Sequence, residues 1–168
     1  MGLDMYLEID RYVSVYRDAD KPALAKLNEA IGTLSGSDIP TLNSRDSVSV
    51  TTGVGYWRKA NAIHNWFVEN VQGGVDECQR SYVDPETLEQ LSNVCRELTD
   101  LYEDESTREI ALQKADEKLP VAEGFFFGGQ EYDEYYWDDV KETAYFLEEF
   151  LKWHEKNREW SIHYQSSW

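Results

Sequence analysis

Residues 56 to 72, YWRKANAIHNWFVENVQ, concentrate the side chains best suited to chemistry. Trp57, Asn61, His64 and Val68 recur at steps of four, three and four. On a helix, Asn61 and His64 would therefore share a stripe beside the apolar one. A histidine next to a carboxylate such as Asp4 or Glu131 can serve as a general base or a ligand contact. The same spacing also fits a partly buried polar stripe satisfied by backbone groups. Taken as a ligand site, the set is Trp57, Arg58, Asn61, His64, Asn65 and Trp137, suited to a small molecule or a nucleotide.

A second stretch, GFFFGGQEYDEYYW at Gly124–Trp137, raises the question of a phosphate loop. Phosphate-binding loops need a lysine and a hydroxyl after the glycines, so that backbone amides, cation and magnesium ligand converge. Here Gln130 and Glu131 follow Gly128 and Gly129, and the dinucleotide pattern of three spaced glycines is absent. Carboxylates would occupy the anion-attracting end of the following helix themselves. Phe125 to Phe127 reads instead as a buried strand, with the glycine pair as its turn and Asp133 as a helix cap. Glu134, Asp138 and Glu142 then follow at four-residue steps, flanked by Glu131, Asp133, Asp139 and Glu149. Successive members rise about 6 Å along a helix, giving a ladder of charge that could dock on a basic partner.

Other chemistries find less support. His64, His154 and His163 match no zinc spacing, and DECQRSYVDPE at residues 76 to 86 lacks the calcium-loop pattern. Cys78 and Cys95 form no metal-type pair and read as free structural thiols. The serine-nucleophile elbow is missing. No metal, cofactor or catalytic residue is expected from these patterns.

The elements that must position these residues show in the periodicity. Leu3, Met5, Leu7 and Ile9, then Val13 and Val15, alternate with Asp4, Tyr6, Glu8 and Asp10, the pattern of a half-buried strand. A short helix opens at Asp20–Lys21–Pro22 and stops at Gly32. Residues 47 to 55 alternate as a second strand. The stretch from Tyr56 forms a helix, with Ala60, Ile63, Phe67 and Val71 inward and Gly73–Gly74 ending it. Asp84–Pro85–Glu86 caps another, lined by Leu88, Leu91, Cys95, Leu98 and Tyr102, followed by a charged connection over residues 103 to 109. The last helix spans about Glu134 to Asn157, with Tyr136, Val140, Ala144, Leu147 and Leu151 inward, widened by Phe146, Phe150 and Trp153. Trp160, Ile162 and Tyr164 then alternate as a C-terminal strand. The expectation is one α+β domain over residues 1–168, a small, mostly antiparallel sheet packed against three main helices.

Charge limits the partners. The 168 residues carry 16 Lys+Arg against 33 Asp+Glu, a formal charge of -17. Residues 1–60 hold 7 basic and 8 acidic side chains, so residues 61–168 carry a net of -16. Such a field repels nucleic acid and favours basic surfaces. Aromatics at 14% exclude a disordered chain. No apolar run is long enough for a bilayer and no signal peptide is expected, which points to the cytoplasm.

MGLDMYL at Met1, YWRKANAIHNWFVENVQ at Tyr56, GFFFGGQEYDEYYWDDV at Gly124 and the C-terminal YQSSW together resemble a family of small uncharacterised bacteriophage- and prophage-encoded proteins. The likeness covers both ends and the centre but not residues 17–50 and 103–118. It implies an accessory phage protein in a bacterial cytoplasm and carries no activity with it. With the acidic ladder, it yields a first functional expectation. The chain would be a non-catalytic protein that binds and inhibits or redirects a host protein with a basic, nucleic-acid-binding surface, as a nucleic-acid mimic against host defence. The alternative is a small-molecule or nucleotide-binding protein, or an enzyme, built around His64.

Overall fold

The computed structural model describes residues 2–36, 39, 46–122, 129 and 131–168. The first strand, β1 (Asp4–Ser14), buries Leu3, Met5, Leu7 and Ile9 and turns Asp4, Tyr6 and Glu8 the other way. This is the period-two pattern expected of it. After a single 3-10 turn at Asp18–Asp20 come α1 (Lys21–Ser35) and β2 (Ser47–Arg58). Then α2 (Asn61–Val71), β3 (Ser81–Val83), α3 (Pro85–Glu103), α4 (Arg108–Lys118), α5 (Glu134–Glu155) and β4 (Ser161–Ser167) complete the order. The four strands form one antiparallel sheet in the order β2-β1-β4-β3, and the fold is α+β as expected. The three strands foreseen from alternation pair within that sheet.

The chain divides into two compact units, residues 10–52 and the remainder. In the smaller, Arg11 pairs with the buried carboxylate of Asp20 at 2.5 Å. Its helix α1 runs through Gly32, where a stop was expected, and ends at Gly36. A helix stop of this kind needs a left-handed residue, and Gly36 supplies it at φ 67°.

In the larger unit, the inner sheet face, α2, α3 and α5 share one core. Leu3, Met5, Leu7, Phe67, Leu88, Leu91, Leu98, Leu147 and Tyr164 are fully buried there. The Asp84 carboxylate caps α3 by accepting from the Glu86 amide at 2.9 Å, and Asp133 caps α5 through the Tyr136 amide at 3.1 Å. Tyr102 of α3 stacks on Trp137 of α5 with ring centroids 3.9 Å apart.

Four expectations need correction. The helix foreseen from Tyr56 starts only at Asn61, because β2 continues to Arg58. Trp57 points into the core, its indole N–H donating to Thr143 Oγ1 at 2.9 Å, while Tyr56 and Arg58 face outward. A helix, α4, follows the charged connection, its buried positions being only Ala111 and Ala115, a weak apolar signal. Strand β3 was also unforeseen; three residues are too short to show alternation, yet Ser81, Tyr82 and Val83 pair antiparallel with Tyr164, His163 and Ile162. On α5, Leu151 is only half-buried and Trp153 is 39% exposed, whereas Trp137 and His154 are inside. The strand foreseen at Phe125–Phe127 lies outside the described residues.

Leu147 is fully buried where α3 and α5 pack. Leu147→Ala should therefore lower unfolding free energy by about 2–5 kcal/mol. Truncating the exposed Tyr145 nearby should stay within about 0.5 kcal/mol, both read by urea denaturation.

Candidate functional site

Where β2 gives way to α2, the chain turns sharply at Lys59, which sits at φ 61°. For a residue with a side chain this left-handed conformation is uncommon and costs on the order of 1 kcal/mol or more. The turn is held by the Lys59 amide donating to the Leu3 carbonyl at 2.8 Å and the Asn61 amide donating to the Lys59 carbonyl at 2.9 Å. It brings Arg58 and Lys59 to the rim of a cleft of about 670 Å³. Glu131, Asp133 and Asp139, from the segment that opens α5, line the same cleft, with Ile63, Val121 and Val140 as apolar members of its lining. That volume lies within the usual range for small-molecule sites.

Asn61 is the joint of this cleft. Its buried side chain donates to the Gly129 carbonyl at 2.5 Å and accepts from the Ala122 amide at 3.1 Å. One amide thus ties α2 to two separated points of the chain before α5. Asp133 contributes one carboxylate oxygen to the α5 cap, which fixes its position at the cleft.

Asp139 is the group with unusual acidity. Burial raises its pKa to about 7, and the neighbouring charges of Glu142, Asp138 and Asp133 push in the same direction. A half-buried carboxyl that changes protonation near neutrality, inside a cleft, can accept or donate a proton to a bound molecule. Nothing in the local sequence distinguishes it from the other acids of α5, so its character comes only from where the helix turns it.

His64 goes elsewhere. It is 2% exposed, with Nδ1 2.7 Å from the Tyr164 hydroxyl and Nε2 3.0 Å from Asp76 Oδ2. A carboxylate only accepts, so the proton sits on Nε2 and the Tyr164 hydroxyl donates to Nδ1. Burial lowers the His64 pKa, against the opposing pull of Asp76. The neutral ring is therefore a buried link in a hydrogen-bond chain, and its carboxylate partner is Asp76 rather than Asp4 or Glu131. Asp4 instead accepts from the Tyr56 hydroxyl. Sequence reasoning missed Asp76 and Tyr164, whose partners lie about 12 and 100 residues away.

The structure therefore divides the site foreseen around His64. Arg58 and Asn61 line the cleft, joined by Lys59 and by Glu131, Asp133 and Asp139 from the foreseen acidic set. Trp57 and Trp137 are core residues, and Asn65 is half-buried outside the cleft lining. Glu134, Asp138 and Glu142 are exposed along the first half of α5. Glu149 is exposed as well but bonds Lys152 at 2.9 Å, and Glu148 pairs with Arg96 and Lys152. Among the described residues no group of three or more His, Cys, Asp or Glu could hold a metal ion, and no helix is long and apolar enough to cross a membrane. Comparison with protein-family profiles, curated proteins and solved structures gave no match.

Two outcomes follow. Asp139 is held above the ordinary carboxylate range, so folding favours its protonated form and stability falls as pH rises from about 4 through 7. Asp139→Asn should raise the melting temperature at pH 8 and change it little below about pH 3, where both states are protonated. His64→Ala should lower stability by about 1–3 kcal/mol at neutral pH by leaving Tyr164 and Asp76 without their partner, measured by chemical denaturation.

Proposed function

We propose that this protein binds a small amphoteric molecule in the cleft between the β2–α2 turn and the start of α5. The observation that carries this reading is Asp139, a carboxyl poised near neutrality that lines a cleft of about 670 Å³ together with two cations, Arg58 and Lys59. Arg58 and Lys59 would take an anionic group of the ligand. Asp133 and Asp139 would accept from an amino or other donor group, and the apolar walls would cover the carbon skeleton between. Binding a cationic group would draw Asp139 to its ionised form, so affinity should rise with pH through about 7. This reading develops the ligand-site alternative, with its centre moved from His64 to Asp139.

The test is a thermal-shift screen of the purified protein against amino acids, amino sugars, polyamines and nucleotides at pH 6 and pH 8. The expected result is stabilisation by a ligand carrying both charges, stronger at pH 8 and lost in Arg58→Ala and Asp139→Asn. Equal response of the wild type and both variants to every stabilising compound overturns the proposal.

A second reading is favoured by a separate observation. Glu131, Glu134, Asp138 and Glu142 are exposed on the opening of α5, a strip of negative charge on a chain that carries -17 in total. In the phage setting suggested by the resemblance, this strip would dock on the nucleic-acid-binding surface of a host protein. Such binding should weaken steeply once salt shortens the Debye length below about 10 Å. Asp138→Lys with Glu142→Lys should abolish it without unfolding the chain, measured by pull-down from host lysate at low and high salt. Retention of the captured protein by the double variant sinks this reading.

A further inference from the structure

The turn from α5 into β4 sets a buried histidine at a second hollow of the larger unit. After α5 the chain tightens, the Asn157 amide donating to the His154 carbonyl at 2.9 Å and the Trp160 amide to the Asn157 carbonyl at 3.1 Å. His154 closes this turn by donating from Nε2 to the Trp160 carbonyl at 2.9 Å. A carbonyl only accepts, so Nε2 carries the proton and Nδ1 of the neutral ring is left as an acceptor. The residue is 5% exposed, yet Nδ1 has no hydrogen-bond partner among the described residues. Strand β4 then pairs with β3, Val83 against Ile162, which sets the exit of β3 and the start of α3 beside the same turn. Here lies a hollow of about 380 Å³, whose lining includes His154, Arg158 and Trp160 from the turn and Tyr82, Asp84 and Glu86 from β3 and the start of α3. The volume is within the range of small-molecule sites.

The charges of this hollow do not pair with one another. Neither the Arg158 guanidinium nor the Glu86 carboxylate has an ion-pair partner among the described residues, although both line it. Oδ1 of Asp84 accepts from the Glu86 amide, and Oδ2 has no partner among the described residues. Arginine only donates, whereas the two carboxylates and the His154 nitrogen only accept. A ligand of one charge would satisfy one set and be repelled by the other. A hydroxyl both donates and accepts, so a molecule bearing several can accept from Arg158 while donating to Glu86, Asp84 and His154. Such a molecule is uncharged and is not excluded by a chain that carries -17. Trp160 is half-buried and Tyr82 is 58% exposed, its ring meeting His163 edge-on at 5.9 Å. The C–H face of a sugar ring is apolar and packs on aromatic surface of this kind. We infer that this hollow is a saccharide-binding site, in which Arg158, Glu86, Asp84 and His154 hold the hydroxyls while Tyr82 and Trp160 meet the apolar face. It shares no lining residue with the cleft of Asp139 and does not depend on the ligand proposed there.

Titration followed by amide NMR tests this with glucose, galactose, mannose, N-acetylglucosamine, maltose and cellobiose, and with lysine and adenosine monophosphate as charged probes. At least one sugar should shift the amides of Tyr82, Glu86 and Ser161 saturably. Its affinity should change less than about twofold between about 50 and 500 mM salt, as befits an uncharged ligand. Arg158 and Glu86 are exposed and without ion-pair partners among the described residues, so Arg158→Ala and Glu86→Gln should keep the wild-type circular dichroism. Each should weaken that sugar about tenfold, the loss of one hydrogen bond to a charged group. Asp139→Asn, in the other cleft, should leave it unchanged. Failure of every sugar to bind with a Kd below about 10 mM overturns the inference. So does affinity within about twofold of wild type in both Arg158→Ala and Glu86→Gln. Loss of sugar binding in Asp139→Asn with retention in those two variants overturns it by placing the sugar in the cleft. Tighter binding of lysine or adenosine monophosphate at the same amides, falling with salt, overturns it in favour of a charged ligand.

Discussion

The Asp76 carboxylate is the point on which the packing of the larger unit depends. It accepts from His64 Nε2 at 3.0 Å, the Cys78 amide at 3.2 Å, Ser166 Oγ at 3.2 Å and the Trp168 indole N–H at 2.7 Å. These donors come from α2, from the loop that carries Asp76 itself, and from β4 with the residue after it. Strand β4 lies between β1 and β3, so its fixation decides whether the sheet has four strands or two. The chain of bonds continues from His64 to the buried Tyr164 hydroxyl, and the Tyr164 ring stacks on Phe67 with centroids 4.0 Å apart. A buried polar network of this kind stabilises only when every member is satisfied. Here the partners are supplied by segments that meet only in the folded chain, which makes the network a specifier of one arrangement as well as a source of stability.

Locking α2 from its inner side has a consequence at its first turn. With His64 held by β4, Asn61 is carried three residues back, about one turn, to where it bonds Ala122 and Gly129. The spacing that suggested a shared catalytic stripe instead gives the helix two jobs, one at each end of the same turn. The first is structural and dry; the second borders a cleft and stays close to charge. Conformational strain at Lys59 and the raised pKa of Asp139 both border that cleft. Both are unfavourable in isolation, and both are held by well-packed neighbours, the pattern in which strain and altered acidity accompany binding sites.

Periodicity made most of the scaffold legible. The alternation in β1 and β4, the proline-acid caps of α3 and the glycines after α2 each follow from local chemistry, and each element stands where that chemistry puts it. Legibility failed where two signals coincide. Trp57, Asn61 and His64 fit a helical period, yet Trp57 belongs to a strand whose alternation with Tyr56 and Arg58 spans too few residues to compete. Alanine-lined α4 and three-residue β3 carry too little apolar pattern to be seen. For the site, Arg58, Asn61, Glu131, Asp133 and Asp139 were all visible as polar candidates, but sorted into two different surfaces. Only the tertiary fold shows that they share one cleft, because the contact between the starts of α2 and α5 joins residues some 70 apart.

The acidity of the chain takes on a different meaning with the side chains in position. Surface carboxylates on α3 and α5 that meet lysines or arginines, as Glu97 does with Lys114 and Lys118, are partly neutralised and contribute little net field. Around Asp139 the reverse holds: burial disfavours its charge most, and Glu142, Asp138 and Asp133 all act in the same sense. Repulsion concentrated at one point is costly to folding, and its relief requires a proton or a bound cationic group. A carboxylate cluster spread for solubility alone would have no reason to turn one member into a cleft that Arg58 and Lys59 also line. The partial burial of Asp139 therefore sets it apart from the exposed acids Glu134, Asp138 and Glu142 of the same helix.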